Sequence, residues 1–381
     1  APPSGFLALC TSNLPNITIG PGQSSQADDN FNTVLYTGDA DNDVTVTNTF
    51  AADWVWLKRR SGTDQHFAQD IVRGFGASKS LSPSTNGAQA YNGSFQSSQN
   101  IVTTSSSLRL VSGDFAVNSA TYVAWTWKAG GGADTFNIDG TGHSSMSNAG
   151  LSDGTQALTG LSVNTTSKFS IATFTMPDAQ KTVAHGLGVK PDWVIFKHIG
   201  ADSTHWQIWH NSFGENTEDV IRFNVANGTD QAGGSANWFQ AISTTLTTIQ
   251  SAGSYFATGD YVMYSFANVD GYSKFDTFIG NGAADGAFVY TGFRPAWLLI
   301  KRTTSGGWHM FDNKRASAFN EIGVRIETQE SEAENSNSSP NIDLVSNGFK
   351  LRTTFDNMNA SGSTYLYFAF AEAPFKFSNA R

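Results

Sequence analysis

Only one cysteine, Cys10, occurs in the 381 residues, and it lies in an extended N-terminal stretch. No intrachain disulfide can staple the fold, so stability has to come from packing. Charge is scarce as well: charged residues make up 14 %, with 23 Lys+Arg against 32 Asp+Glu and a net charge of -9. No cluster of basic residues could track a phosphate backbone, which argues against nucleic-acid binding. No apolar run reaches about 18 residues, so no membrane insertion is expected. Ala1-Pro2-Pro3-Ser4-Gly5 lacks both a positive n-region and an apolar h-region, hence shows no export signal, and a start without Met suggests a processed or trimmed chain.

Catalytic signatures are missing too. The seven histidines form no His-Glu-x-x-His pair or closely spaced zinc cluster. There is no Gly-x-Ser-x-Gly elbow and no Gly-x-x-x-x-Gly-Lys-Ser/Thr phosphate loop. The chain is therefore read as non-enzymatic, and no cofactor is implied. Paired carboxylates across a groove remain an open alternative, because sequence does not show their separation.

What the chain has is aromatic rings, 13 % of its residues, including 28 Phe, 10 Trp and 10 Tyr, set among 37 Gly and many Ser, Thr and Asn. Aromatics favour pleated, half-buried surfaces and the small polar residues favour turns, so the expected class is all-β.

A repeat organises these residues. Trp54-Val55-Trp56-Leu57-Lys58 recurs as Trp193-Val194-Ile195-Phe196-Lys197 and as Trp297-Leu298-Leu299-Ile300-Lys301. Tyr122, Tyr261 and Tyr365 each follow 68 residues after the first Trp of their copy, and each opens a run with bulky residues on one face. The bulky sets are Val123, Trp125 and Trp127, then Val262, Tyr264 and Phe266, then Leu366, Phe368 and Phe370. Thr126, Ser265 and Ala369 keep the opposite face small, as close approach of a second layer requires. Upstream strands are expected from Phe31, Phe169 and Phe275, and further ones at His66-Phe67, His205–His210 and Trp308–Asp312.

The expected architecture is three tandem β-sandwich modules related by internal repeat, at 31–128, 169–267 and 275–381, each long enough to enclose its own core. Residues 1–30 read as an extended N-terminal arm lying on a neighbouring surface. Residues 129–168, rich in Gly, Ser, Thr and Asn, read as a flexible connector.

Three groups are candidates for chemistry. Asp39, Asp41 and Asp43 place carboxylates at alternate positions, as a calcium loop does. The EF-hand pattern fails at Val44 and Phe50, and a solvated hairpin turn is the competing reading. Glu327, Glu330, Glu332 and Glu334 read as an exposed loop. Ring faces stack on the C–H faces of sugars, and the aromatics outside the repeat are the candidates for this: Tyr91, Phe95, Trp238, Phe239, Tyr255 and Tyr272.

Gly5-Phe6-Leu7-Ala8-Leu9-Cys10-Thr11-Ser12-Asn13-Leu14-Pro15, followed by Phe31-Asn32-Thr33-Val34-Leu35-Tyr36-Thr37-Gly38, resembles virion structural proteins of tailed phages, especially those of marine bacteria. Val183-Ala184-His185-Gly186-Leu187-Gly188-Val189-Lys190-Pro191-Asp192-Trp193 and Thr291-Gly292-Phe293-Arg294-Pro295-Ala296-Trp297 are similar to a module of phage tail and fibre polypeptides. In such proteins the stretch often follows a SPRY-like β-sandwich, absent here, so whether this is a whole gene product or the end of a longer one stays open.

The resemblance implies a virion location on tail or head, other virion proteins as partners, and homo-oligomers with three subunits preferred. It transfers no site residue. The expected function is a tail fibre or other host-facing appendage that binds host glycans. The alternatives are a capsid decoration or head-fibre protein, and a secreted carbohydrate-binding or carbohydrate-active protein.

Overall fold

Strands form wherever large side chains alternate in the repeat. The structure, a computed structural model, describes residues 17–372 except 21, 77, 90–99, 112, 178, 201–203, 216–218, 232–238, 251–256, 317–318 and 336–340. It is almost entirely β.

The first unit comprises β1 (Phe31–Thr37), β2 (Asp43–Thr47), β3 (Trp54–Arg59), β4 (Phe67–Asp70), β5 (Asn100–Thr103), β6 (Ser107–Val111) and β7 (Thr121–Trp127). A large sheet runs β1-β7-β3-β4 and a small one β2-β6-β5. Next come β8 (Phe136–Ile138), β9 (Thr141–His143) and β10 (Leu158–Asn164).

The second unit comprises β11 (Phe169–Met176), β12 (Gln180–Ala184), β13 (Trp193–His198), β14 (Gln207–His210), β15 (Asp219–Arg222), β16 (Asp230–Gln231), β17 (Phe239–Ile242), β18 (Leu246–Gln250) and β19 (Gly259–Phe266). Its small sheet is β12-β18-β17, and its large sheet β16-β15-β14-β13-β19-β11 continues through β10, β8 and β9.

The third unit comprises β20 (Ser273–Ile279), β21 (Phe288–Tyr290), β22 (Pro295–Arg302), β23 (Trp308–Asp312), β24 (Ile326–Glu327), β25 (Asn341–Val345), β26 (Gly348–Arg352), α1 (Asp356–Asn359) and β27 (Thr364–Ala371). Its sheets are β20-β27-β22-β23-β24 and β21-β26-β25, so one strand order occurs three times.

Both faces of each large sheet are covered. Tyr122 and Ala124 of β7 join Val55, Leu57, Leu108 and Leu110 in a core between the two sheets of the first unit. Ala172, Phe196, Met263 and Val183 do the same in the second. At the same place in every unit two rings stack: Tyr36 on Tyr122 at 5.0 Å, Phe174 on Tyr261 at 5.8 Å, and Phe278 on Tyr365 at 5.0 Å between centroids.

The other face of each large sheet turns into one aromatic core shared by all three units. Trp54 lies 4.7 Å from Tyr264, Trp193 4.5 Å from Phe368, and Trp127 5.9 Å from Trp297. The Trp strands β3, β13 and β22 pair antiparallel on both sides yet read as near-continuous apolar runs because neither face meets water.

The units close on one another head to tail. Between the first and second, Tyr264 donates to Asp70 Oδ2 (2.7 Å), the Trp206 indole N–H to the Ser82 carbonyl (2.8 Å), and Lys197 Nζ to the Asn86 carbonyl (3.3 Å). Between the second and third, the Trp308 indole donates to the Arg222 carbonyl (2.7 Å) and Lys301 Nζ to the Ala226 carbonyl (3.3 Å), while His210 meets Phe368 edge-on at 5.4 Å. Between the third and first, Trp125 donates to Asp312 Oδ2 (3.0 Å) and His66 Nε2 to the Glu327 carbonyl (3.2 Å). The His66 tautomer follows from Trp56, whose donor-only indole bonds Nδ1 at 2.9 Å and leaves the proton on Nε2.

Four sequence expectations change here. The units are not strung along the chain; they share a core. The segment 129–168 is not a flexible connector, because β10 pairs with β11, and β8 and β9 extend that sheet. Of the N-terminal arm 1–30, residues 1–16 lie outside the described residues, and 17–30 pack on this chain, with Ile19 fully buried in the shared core. The acidic stretch is an exposed loop at Glu330 and Glu332 but a seam at Glu334, which Arg60 holds through two bonds of 2.8 and 2.9 Å and Arg315 approaches at 3.3 Å. One register also shifts: Ser273, not Phe275, pairs with Phe370, the counterpart of Trp127 and Phe266.

Candidate functional site

Three copies of one design allow a comparison within the molecule. A feature present in several copies belongs to the architecture, and a feature confined to one copy needs another explanation.

Asp53 illustrates the first case. It lines a cleft of about 720 Å³ with Asn30, Lys128, Asp139 and Asn164. Burial pushes its carboxyl up to about 6 against the opposing N–H bonds of Gly131 and Ala129. A perturbed carboxyl in a cleft is the usual mark of a catalytic acid. Yet Asp53 Oδ2 accepts from the Ala129 amide at 2.7 Å, and Asp192 Oδ2 accepts in the same way from the Asn268 amide at 2.7 Å. Each aspartate precedes the Trp strand of its unit and ties down the residue just beyond the last strand, so Asp53 is a staple.

Its raised value carries a sign. Stability from Asp53 is present where it is protonated and is lost as pH rises through about 6. Asp53→Asn keeps the acceptor oxygen without the charge. The variant is expected to be about 1–2 kcal/mol more stable than the parent at pH 8 and equal to it near pH 4, read from urea midpoints at both values.

The alternating aspartates do not converge. Asp39 Oδ1 accepts the amides of Asp41 (3.1 Å) and Asp43 (3.2 Å), closing the β1–β2 turn. Asp43 takes Arg109 Nε at 2.7 Å. Among the described residues no group of three His, Cys, Asp or Glu side chains is placed to hold a metal.

Of the six aromatic candidates, Tyr91, Phe95, Trp238 and Tyr255 lie outside the described residues, and Phe239 is placed only by its backbone in β17. Tyr272 is buried in the shared core, 5.7 Å from Phe370, and is not a binding residue.

Among the described residues the exposed rings are Phe319, covered on one face by the Arg294 guanidinium at 4.4 Å, and two on a single strand. On β21, the edge strand of the third small sheet, Val289 points inward, whereas Phe288 is 49 % and Tyr290 65 % exposed. Phe288 stands opposite Lys350, and Tyr290 opposite Gly348. A Cβ on Gly348 would fall 2.0 Å from the Val289 carbonyl oxygen, so the close approach of β21 requires glycine there, and the position opposite Tyr290 carries no side chain. Asp285 bridges Lys350 and Arg352, each at 2.9 Å, and Arg352 also binds Asp343 at 2.6 Å. The outer face is thus an aromatic row beside a row of paired charges.

Corresponding strands carry Thr45 and Thr47 in the first unit and Thr182 and Ala184 in the second. The fold therefore does not require aromatics here. The signal lay in the sequence, but finding it needed the small-sheet strands to be aligned.

A family model described as "Domain of unknown function (DUF7483)" matches residues 26–374. The chain belongs to this family. The match runs from just before β1 to just past β27, so the family is defined by all three units together and not by one repeat. No curated protein matches the chain. Among the described residues no helix is long and apolar enough to cross a membrane.

Proposed function

We propose that this protein is a non-enzymatic structural component of a phage particle, a tail fibre or other appendage that faces the host. The observation that carries this reading is the closed ring of three β units around one aromatic core. Its recurring charges, buried Asp53 and half-buried Asp192, buried Asp70 with Arg73 and buried Asp312 with Arg315, bind the chain's own backbone and neighbours. Such a body is held by packing and by these bonds, which suits a part that transmits contact to a particle.

The resemblance of the Trp-strand motifs to tail and fibre polypeptides supplies the setting. A homo-oligomer, a trimer by first expectation, would assemble through outer surfaces, because the inward faces of the large sheets are already covered. Immunogold electron microscopy of intact particles with antibody to this chain tests the reading. Label on tails or fibres is expected. Label on heads would favour a decoration protein, and unlabelled particles would favour a secreted carbohydrate-directed protein.

A further inference from the structure

We propose that the outer face of the β21-β26-β25 sheet is a saccharide-binding shelf, with Phe288 and Tyr290 as the stacking rings and Lys350, Asp285 and Arg352 as its hydrogen-bonding border. The inference deepens the host-facing reading and rests on it for the ligand's setting.

Three observations lead there. The rings occur in one copy only, where the other copies carry Thr or Ala, so the shared packing does not account for them. They alternate on one strand, so they share a face about 7 Å apart. Gly348, demanded by the close approach of the Val289 carbonyl, puts no side chain opposite Tyr290.

Size selects the occupant. An aromatic side chain has roughly 150–250 Å² to bury, so rings about half and two-thirds exposed offer roughly 200–250 Å² together. A stable protein partner, or a second copy of this chain, needs about 800 Å² from each side. One or two pyranose rings need no more than the shelf has. Their axial C–H faces cover the aromatic faces, and their equatorial hydroxyls reach the edge, where the ammonium and guanidinium groups donate and the carboxylates accept. Because Lys350, Arg352, Asp285 and Asp343 already pair with one another, the border is close to neutral and fits an uncharged sugar.

The test is a titration of the full chain with tetrasaccharides of glucose, galactose, mannose and N-acetylglucosamine, followed by saturation-transfer NMR. Concentrations run to about 10 mM, beyond the millimolar Kd that two stacking rings allow. At least one sugar should bind, and Phe288→Ala and Tyr290→Ala should each weaken it about tenfold. Thr47→Ala, on the corresponding strand of the first unit, should leave binding unchanged. All three positions are at the surface, so thermal midpoints should stay with the parent and report intact folding. No binding of any of the four by the parent, or binding that survives the Phe288→Ala/Tyr290→Ala double variant, would overturn the site. Either result leaves the particle-labelling experiment standing, and that experiment can fail while the shelf binds.

Discussion

Asp312→Ala should cost about 4 kcal/mol and should destabilise all three units together. Asp312 is fully buried at the end of β23, where it accepts Arg315 Nε at 2.5 Å, the Arg315 amide at 2.9 Å and the Trp125 indole at 3.0 Å. Removing it leaves a buried guanidinium whose remaining carboxylate, Glu334, stands 3.3 Å away, together with an orphaned indole N–H. Breaking a buried ion pair from one side costs about 3–5 kcal/mol, and a stranded buried donor adds about 1–3 kcal/mol.

The molecule also suggests the rescue. The first unit uses Asp70 and Arg73 against Tyr264 of the second, whereas the second uses His210 and Phe213 against Phe368 of the third. Where the neighbouring ring has no donor, the acceptor and its arginine are gone too. Asp312→His, Arg315→Phe and Trp125→Phe introduced together should therefore fall within about 2 kcal/mol of the parent, since replacing all partners by matched groups avoids the stranded charge. Urea unfolding followed by tryptophan fluorescence and by circular dichroism measures both. The two probes should coincide in one transition. A transition in which the second unit kept its midpoint while the rest moved would show that the units fold separately and sink the shared-core account.

Acid should unfold the protein steeply below about pH 5. Burial lowers His185 and His210 to about 4 and His309 to about 3, and holds His66 well below the ordinary range. For a group depressed in the folded state, stability is full above its unfolded value, near 6.5, and is lost as pH falls toward the folded one. Each histidine thus withdraws about 1.4 kcal/mol per pH unit in that window. Asp53, raised to about 6, acts in the opposite sense over part of the range, but it is one group against four.

With total stability of about 5–15 kcal/mol for an ordinary fold, the sum is enough to open it. Protonating His66 also removes the acceptor for Trp56 at the seam that closes the ring. Circular dichroism against pH should show the loss, and His309→Phe should shift the midpoint to lower pH. A protein unchanged at pH 3.5 would contradict the burial of these rings.

Much of this was legible in the chain. Trp54, Trp193 and Trp297, each with a tyrosine 68 residues on, mark the two central strands of every large sheet, and the pairing joins them as β3 to β7, β13 to β19 and β22 to β27. The 129–168 segment was not legible, because Gly-rich composition describes loops and edge strands alike, and β10 is identified only by its partner β11. The shelf was missed because Phe288 and Tyr290 sit on a strand of three residues, too short for alternation to be seen.

The sequence by itself determined the class, the number of copies and which side chains share a face, because a period of two is local and needs no knowledge of neighbours. Only the tertiary structure decided that the bulky faces point at one another across three units, that Trp125 finds Asp312 far along the chain, and that two rings on the last small sheet meet water. A strand's pattern records that a face is apolar. What covers that face depends on where the rest of the chain returns.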